Sequence, residues 1–113
     1  MSFYKLDKNK QAVPCSLEEW GMMTREEKIV AKNWFGEIQV STVFLGVDHS
    51  HVFLLEGGPS PILFETMIFG GEWDGYQERF ETWEEAVKGH WVACQIADKV
   101  SIDREKKLGE LGI

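Results

Sequence analysis

Asp48, His49 and His51 stand together in an Asp-His-Ser-His run, and farther along the chain His90 and Cys94 are spaced i, i+4. On a helix that spacing places two side chains one above the other, so both could reach a single metal ion. Imidazole, thiolate and carboxylate are the donors that zinc and related transition metals take, and Glu65 could add a further carboxylate. The candidate metal set is therefore Asp48, His49, His51 and His90. No HExxH or comparable motif ties these residues together, and the sets lie far apart in sequence. The competing reading is structural. His49 and His51 then sit in a solvated loop, His90 is a core histidine bonded to a strand carbonyl or a carboxylate, and Cys94 is a small buried hydrophobe.

Other chemistries find less support. Ser41 and Thr42 fall inside an apolar strand pattern, and no GxSxG elbow is present. Gly46, Gly57-Gly58 and Gly70-Gly71 punctuate turns and build neither a P-loop nor a dinucleotide fingerprint. Glu65 with Asp48 is the one carboxylate pair that a hydrolase could use. No catalytic residue and no cofactor is assigned. Trp34, Phe35, Trp73 and Tyr76 flank turns and are candidate anchors for a protein partner; the alternative is that they cover an open sheet face.

These residues must be positioned by the segment from Ile38 to Gly71, the most apolar and β-branched part of the chain. It reads as two long strands, Ile38–Gly46 and Ile62–Phe69, joined by the loop that carries the Asp-His-Ser-His run. Val52–Leu55 could add a short strand. Phe3–Leu6 reads as a strand, and Pro14 closes any strand running up to it. Ser16 with Glu19 and Thr24 with Glu27 have capping-box spacing, so short helices follow each. Leu17, Trp20 and Met23 form the apolar stripe of the first. Ile29–Phe35 is read as a strand hairpinned through Gly36-Glu37 onto the next. Tyr76–Phe80 is an edge strand. Thr82 and Glu85 cap the clearest helix, Trp83 to about Val100, whose stripe is Trp83, Ala86, Val87, His90, Cys94 and Ala97. Glu84 and Lys88 make a surface pair one turn apart, and the tail after Ser101 is expected to fray.

The 113 residues fit one domain, with a core that needs no staple. A net charge of −7 argues against a nucleic-acid binder or a protein docked on anionic membrane. Isolated Cys15 and Cys94, with no apolar leader or membrane-length run, point to a cytoplasmic protein with reduced thiols.

The blocks STVFLGVDH at Ser41–His49, LFETMIFGG at Leu63–Gly71 and ERFETWEEAVKGH at Glu78–His90 resemble a family of small hypothetical proteins of bacteriophages and prophages. The opening FYKLDKNKQAVPC…LEEW is similar to the start of the same family. The resemblance implies a phage context inside a bacterial host cell, and no catalytic residues.

The expected fold is α+β: an antiparallel sheet of four to five strands, with the C-terminal helix packed on one face and a short N-terminal helix beside it. The expected role is a phage-type accessory protein that binds a host or phage-encoded protein without catalysis. The alternatives are a small metal-binding protein or metalloenzyme using Asp48, His49, His51 and His90, and a homodimer or larger structural assembly.

Overall fold

In the computed structural model, which describes residues 2–48 and 61–110, the chain forms two antiparallel sheets and a long C-terminal helix. Strands β1 (Ser2–Leu6) and β2 (Ala12–Cys15) are followed by the short helices α1 (Leu17–Gly21) and α2 (Arg25–Lys28). Then come β3 (Ile29–Phe35), β4 (Ile38–Phe44), β5 (Val47–Asp48), β6 (Phe64–Phe69), β7 (Gln77–Phe80) and α3 (Trp83–Glu110). The larger sheet has the order β3-β4-β6-β7, and the smaller one the order β2-β1-β5.

The hairpin expected from the β-branched run is present, with β4 at the centre of the larger sheet and β3 paired to it as a strand. The strands do not form a single sheet. The N-terminal strand turns away, pairing Phe3 with Cys15 on one side and Ser2 with Asp48 on the other. Pro14 lies inside β2 rather than ending it, because β2 is an edge strand where a missing N–H breaks no ladder bond. The stretch Val52–Leu55 lies outside the described residues.

Alternation along β4 buries Ile38, Val40, Thr42 and Phe44 beneath α3 and turns Gln39, Ser41 and Val43 to the other face. On β6, Phe64, Thr66 and Ile68 face the helix. The helix answers with Ala86, His90, Ala93, Cys94 and Ala97, all buried. Small side chains let it approach closely. Gly89 allows the nearest contact, since a Cβ there would lie 1.9 Å from Phe80 Cζ. Past Val100, where the apolar stripe ends, α3 continues through Glu110 because no proline interrupts it.

The capping pairs are formed as read. Ser16 and Glu19 bond reciprocally, and the Thr24 and Thr82 hydroxyls accept from Glu27 N–H and Glu85 N–H at 3.1 Å each. Leu17, placed by periodicity on the inner stripe of α1, instead faces solvent at 55 % exposure, because so short a helix buries little beyond Trp20. Glu84 accepts from Gln11 Nε2 at 3.2 Å, which ties the first hairpin to α3.

The core has two clusters. Ile38, Val40, Ile68, Ala93, Cys94 and Ala97 form one, and Phe44, Leu63, Phe64 and Ala86 form the other. The row between them is polar. Thr42 pairs with Thr66 in register, flanked by the Val40–Ile68 and Phe44–Phe64 rows.

Candidate functional site

His90 projects from α3 onto that polar row and is completely buried. Its Nε2 lies 2.7 Å from Asn33 Oδ1 on β3, and its Nδ1 lies 2.7 Å from Thr42 Oγ1 on β4. Thr42 Oγ1 is in turn 2.5 Å from Thr66 Oγ1 on β6. An amide oxygen only accepts, so Nε2 carries the proton and Nδ1 accepts from the Thr42 hydroxyl. Thr42 then accepts from Thr66. Among the described residues no buried side-chain polar atom lacks a partner, and burial holds the ring's pKa below its ordinary value, favouring the neutral form. With both nitrogens engaged and no solvent access, His90 serves as a polar rivet between helix and sheet.

Among the described residues the other candidates do not converge on His90. Asp48 belongs to β5 in the smaller sheet, and His49 and His51 lie outside the described residues. Glu65 is on the opposite face of the larger sheet from His90, where it accepts from Gln77 Nε2 at 2.5 Å and from Arg79 Nε at 3.0 Å. It is thus a surface ion-pair residue and not a partner of His90 in the core. Among the described residues no group of three or more His, Cys, Asp or Glu side chains is placed to hold a metal. Cys94 is buried and Cys15 half-buried, and desolvation pushes both thiols up, away from the reactive thiolate. The Tyr76 hydroxyl donates to Glu78 Oε2 at 2.7 Å, which pushes its pKa up to about 12.

The four aromatic candidates separate by face. Phe35 and Tyr76 pack against the core beneath α3, and Trp73, 47 % exposed, stands edge-on to Tyr76. Trp34 is on the other side of the sheet at 62 % exposure. In the same cross-strand row lie Gln39 and Phe69, the latter 43 % exposed. The next row carries Lys32, Ser41, Met67 and Gln77. Phe69 was readable as an alternating strand residue, but its exposure follows only from knowing which face α3 covers.

A bulge at the start of β3 completes this open face. The register shifts between Ile29 and Ala31, so Ile29 pairs with Val43 while Val30 packs into the core. Ile29 therefore shares a face with Lys32 and Trp34, and α2 is drawn to the rim of the open face. There Arg25, Lys28 and Lys32 line a cleft of about 550 Å³ with Ser41, Ile29 and Val43. The Lys28 ammonium sits 4.4 Å from the centroid of the Trp20 ring, a cation–π contact. Trp20 is itself fixed by its Nε1–H bond of 3.1 Å to the Leu45 carbonyl. Sequence reading did not single out these cations, because α2 and β3 meet them at the cleft only through the bulge.

No described helix is long and apolar enough to cross a membrane. No protein-family model, curated protein or solved structure matches the chain.

Proposed function

We propose that this chain is a non-catalytic accessory protein that binds a protein partner across the open face of its larger sheet. The observation that carries this reading is the exposed aromatic pair Trp34 and Phe69, aligned in one cross-strand row on a face that no element of the described chain covers. Exposed aromatics on a rigid sheet lose little side-chain entropy when they are buried, which suits them as anchors. The occupant we assign is an acidic protein segment with apolar side chains. Lys32 lies beside Trp34 on this face, and Glu65 on the same face is already paired with Arg79. A basic patch repels the same patch on a second copy in a two-fold pairing and favours an acidic partner segment. The phage setting of this role, in a bacterial cytoplasm, rests on the resemblance of the three sequence blocks.

The test is capture from bacterial lysate followed by reconstitution with the purified partner. Binding should survive Trp73→Ala, which alters the helix side, and should fall at least about tenfold with Trp34→Ala, as expected for an anchor side chain. A partner indifferent to Trp34, or no stoichiometric partner, would overturn the reading. Light scattering that showed a dimer broken by Trp34→Ala would reassign the face to a second copy of the chain.

A further inference from the structure

The cleft at the rim of the open face gathers Arg25, Lys28 and Lys32 around one volume, with the Ser41 hydroxyl on its wall. In a chain of net charge −7 this is a local reversal of sign. Ion pairs among the described residues involve Lys5 with Glu19 and Arg79 with Glu65, and none involves the three cleft cations. The Glu26 and Glu27 side chains of α2 do not line the cleft, and Glu27 is turned to Thr24, whose hydroxyl lies 3.2 Å from its Oε1. An anion seated in the cleft is attracted by all three of these cationic residues.

The parts are also held in place. Arg25 and Lys28 are i, i+3 on α2 and so share one side of it. Lys28 is stacked on Trp20, which the Leu45 carbonyl fixes. Lys32 and Ser41 are direct cross-strand neighbours, and Ile29 and Val43 form an apolar wall beside them.

From this geometry we infer that the cleft binds a phosphate monoester, carried by a phosphorylated side chain of the protein segment that lies along the open face. The inference rests on the binding role proposed above and names what the partner presents. A carboxylate brings one negative charge to three positive ones. A phosphate monoester brings nearly two, and its three terminal oxygens can meet the Arg25 fork, a lysine ammonium and the Ser41 hydroxyl together. The organic part of the ester lies against Ile29 and Val43 and continues toward Trp34.

The test uses small probes and needs no partner. Phenyl phosphate and inorganic phosphate are titrated separately into the isotope-labelled protein at constant ionic strength, and amide shifts are followed by NMR. Phenyl phosphate should give saturable shifts at 28–32 and 41–45 with a Kd of about 1 mM or tighter. The double variant Lys28→Gln/Lys32→Gln should weaken it by about tenfold or more, whereas Lys88→Gln, at an exposed lysine of α3 away from the cleft, should leave it unchanged. Shifts that do not saturate, or that persist in the double variant, would overturn the site. Equal affinity for inorganic phosphate would overturn the assignment to a monoester. Failure of the partner role shows separately, as insensitivity of partner capture to Trp34→Ala.

Discussion

Thr42 and Thr66 are isosteric with valine, so replacing them removes a hydroxyl while keeping the volume, and the hydrogen-bond direction predicts unequal costs. Thr42 donates to His90 Nδ1 and accepts from Thr66, whereas Thr66 only donates within the row. Thr42→Val strands a buried imidazole nitrogen and a buried hydroxyl proton, costing about 2–3 kcal/mol; Thr66→Val removes one donor to an oxygen that still bonds elsewhere, costing about 1 kcal/mol. Urea denaturation of the two variants checks the order. The same network sets a pH dependence. Burial lowers the His90 pKa in the folded state, so the unfolded chain binds the proton more readily. Stability is then full above the unfolded value of about 6.5 and declines as pH falls toward the folded pKa. The side chains bonded to His90 are Asn33 and Thr42, neither of them charged, with Trp91 edge-on at 5.5 Å and Cys94 one turn along the same helix. His90→Gln should flatten the fall in denaturation midpoint between about pH 7 and pH 5.5. Periodicity was enough to place His90 in the core. Its partners were not legible, since Asn33 reaches it only through the register of β3, and they are side-chain groups rather than the expected strand carbonyl or carboxylate.

At the level of elements, local signals were informative where local chemistry decides. The capping pairs, the β3–β4 hairpin and the α3 stripe all follow from neighbouring residues, and all are present. The smaller sheet was not legible, because its β1–β5 ladder joins Ser2 and Phe3 to Asp48 and Val47 across most of the first half of the chain. Nor was the bulge in β3, which hangs on one residue of register and decides whether Ile29 and the α2 cations reach the open face. Gly89 illustrates how packing overrides propensity. Alanine is favoured over glycine by about 1 kcal/mol inside a helix. At position 89 its Cβ would meet Phe80 Cζ at 1.9 Å and Cε1 at 2.5 Å, so α3 or the ring must shift. Gly89→Ala should therefore destabilise by about 1–3 kcal/mol in spite of the propensity gain. Adding Phe80→Leu should recover part of the loss, measured by thermal denaturation of the single and double variants.

Across the whole molecule the question is how two sheets become one folding unit. Tyr4, Leu6 and Ala12 of the first hairpin, with Met23, pack against the Phe44, Leu63, Phe64 and Ala86 cluster. The backbone joint is Gly46, whose carbonyl accepts from Tyr4 N–H at 2.8 Å immediately after the Leu45 carbonyl has accepted from Trp20. Gly46 has φ of +70°, and a Cβ there would lie 2.7 Å from Trp20 Nε1 and 2.9 Å from the Tyr4 carbonyl oxygen. The Trp20 ring can move only by losing its bond to Leu45 and its contact with Lys28. The Tyr4 oxygen can move only with β1. Gly75 supplies the control, since it has φ of +88° with nothing within 4 Å of a built Cβ. Gly75→Ala should cost only the left-handed backbone strain, about 1 kcal/mol, and Gly46→Ala should cost about 2–3 kcal/mol because it also forces the joint apart. Chemical denaturation followed by tryptophan fluorescence and by circular dichroism measures both. Coincident transitions in the parent chain that separate in Gly46→Ala would identify the joint as the source of cooperativity, whereas equal costs at the two glycines would refute it.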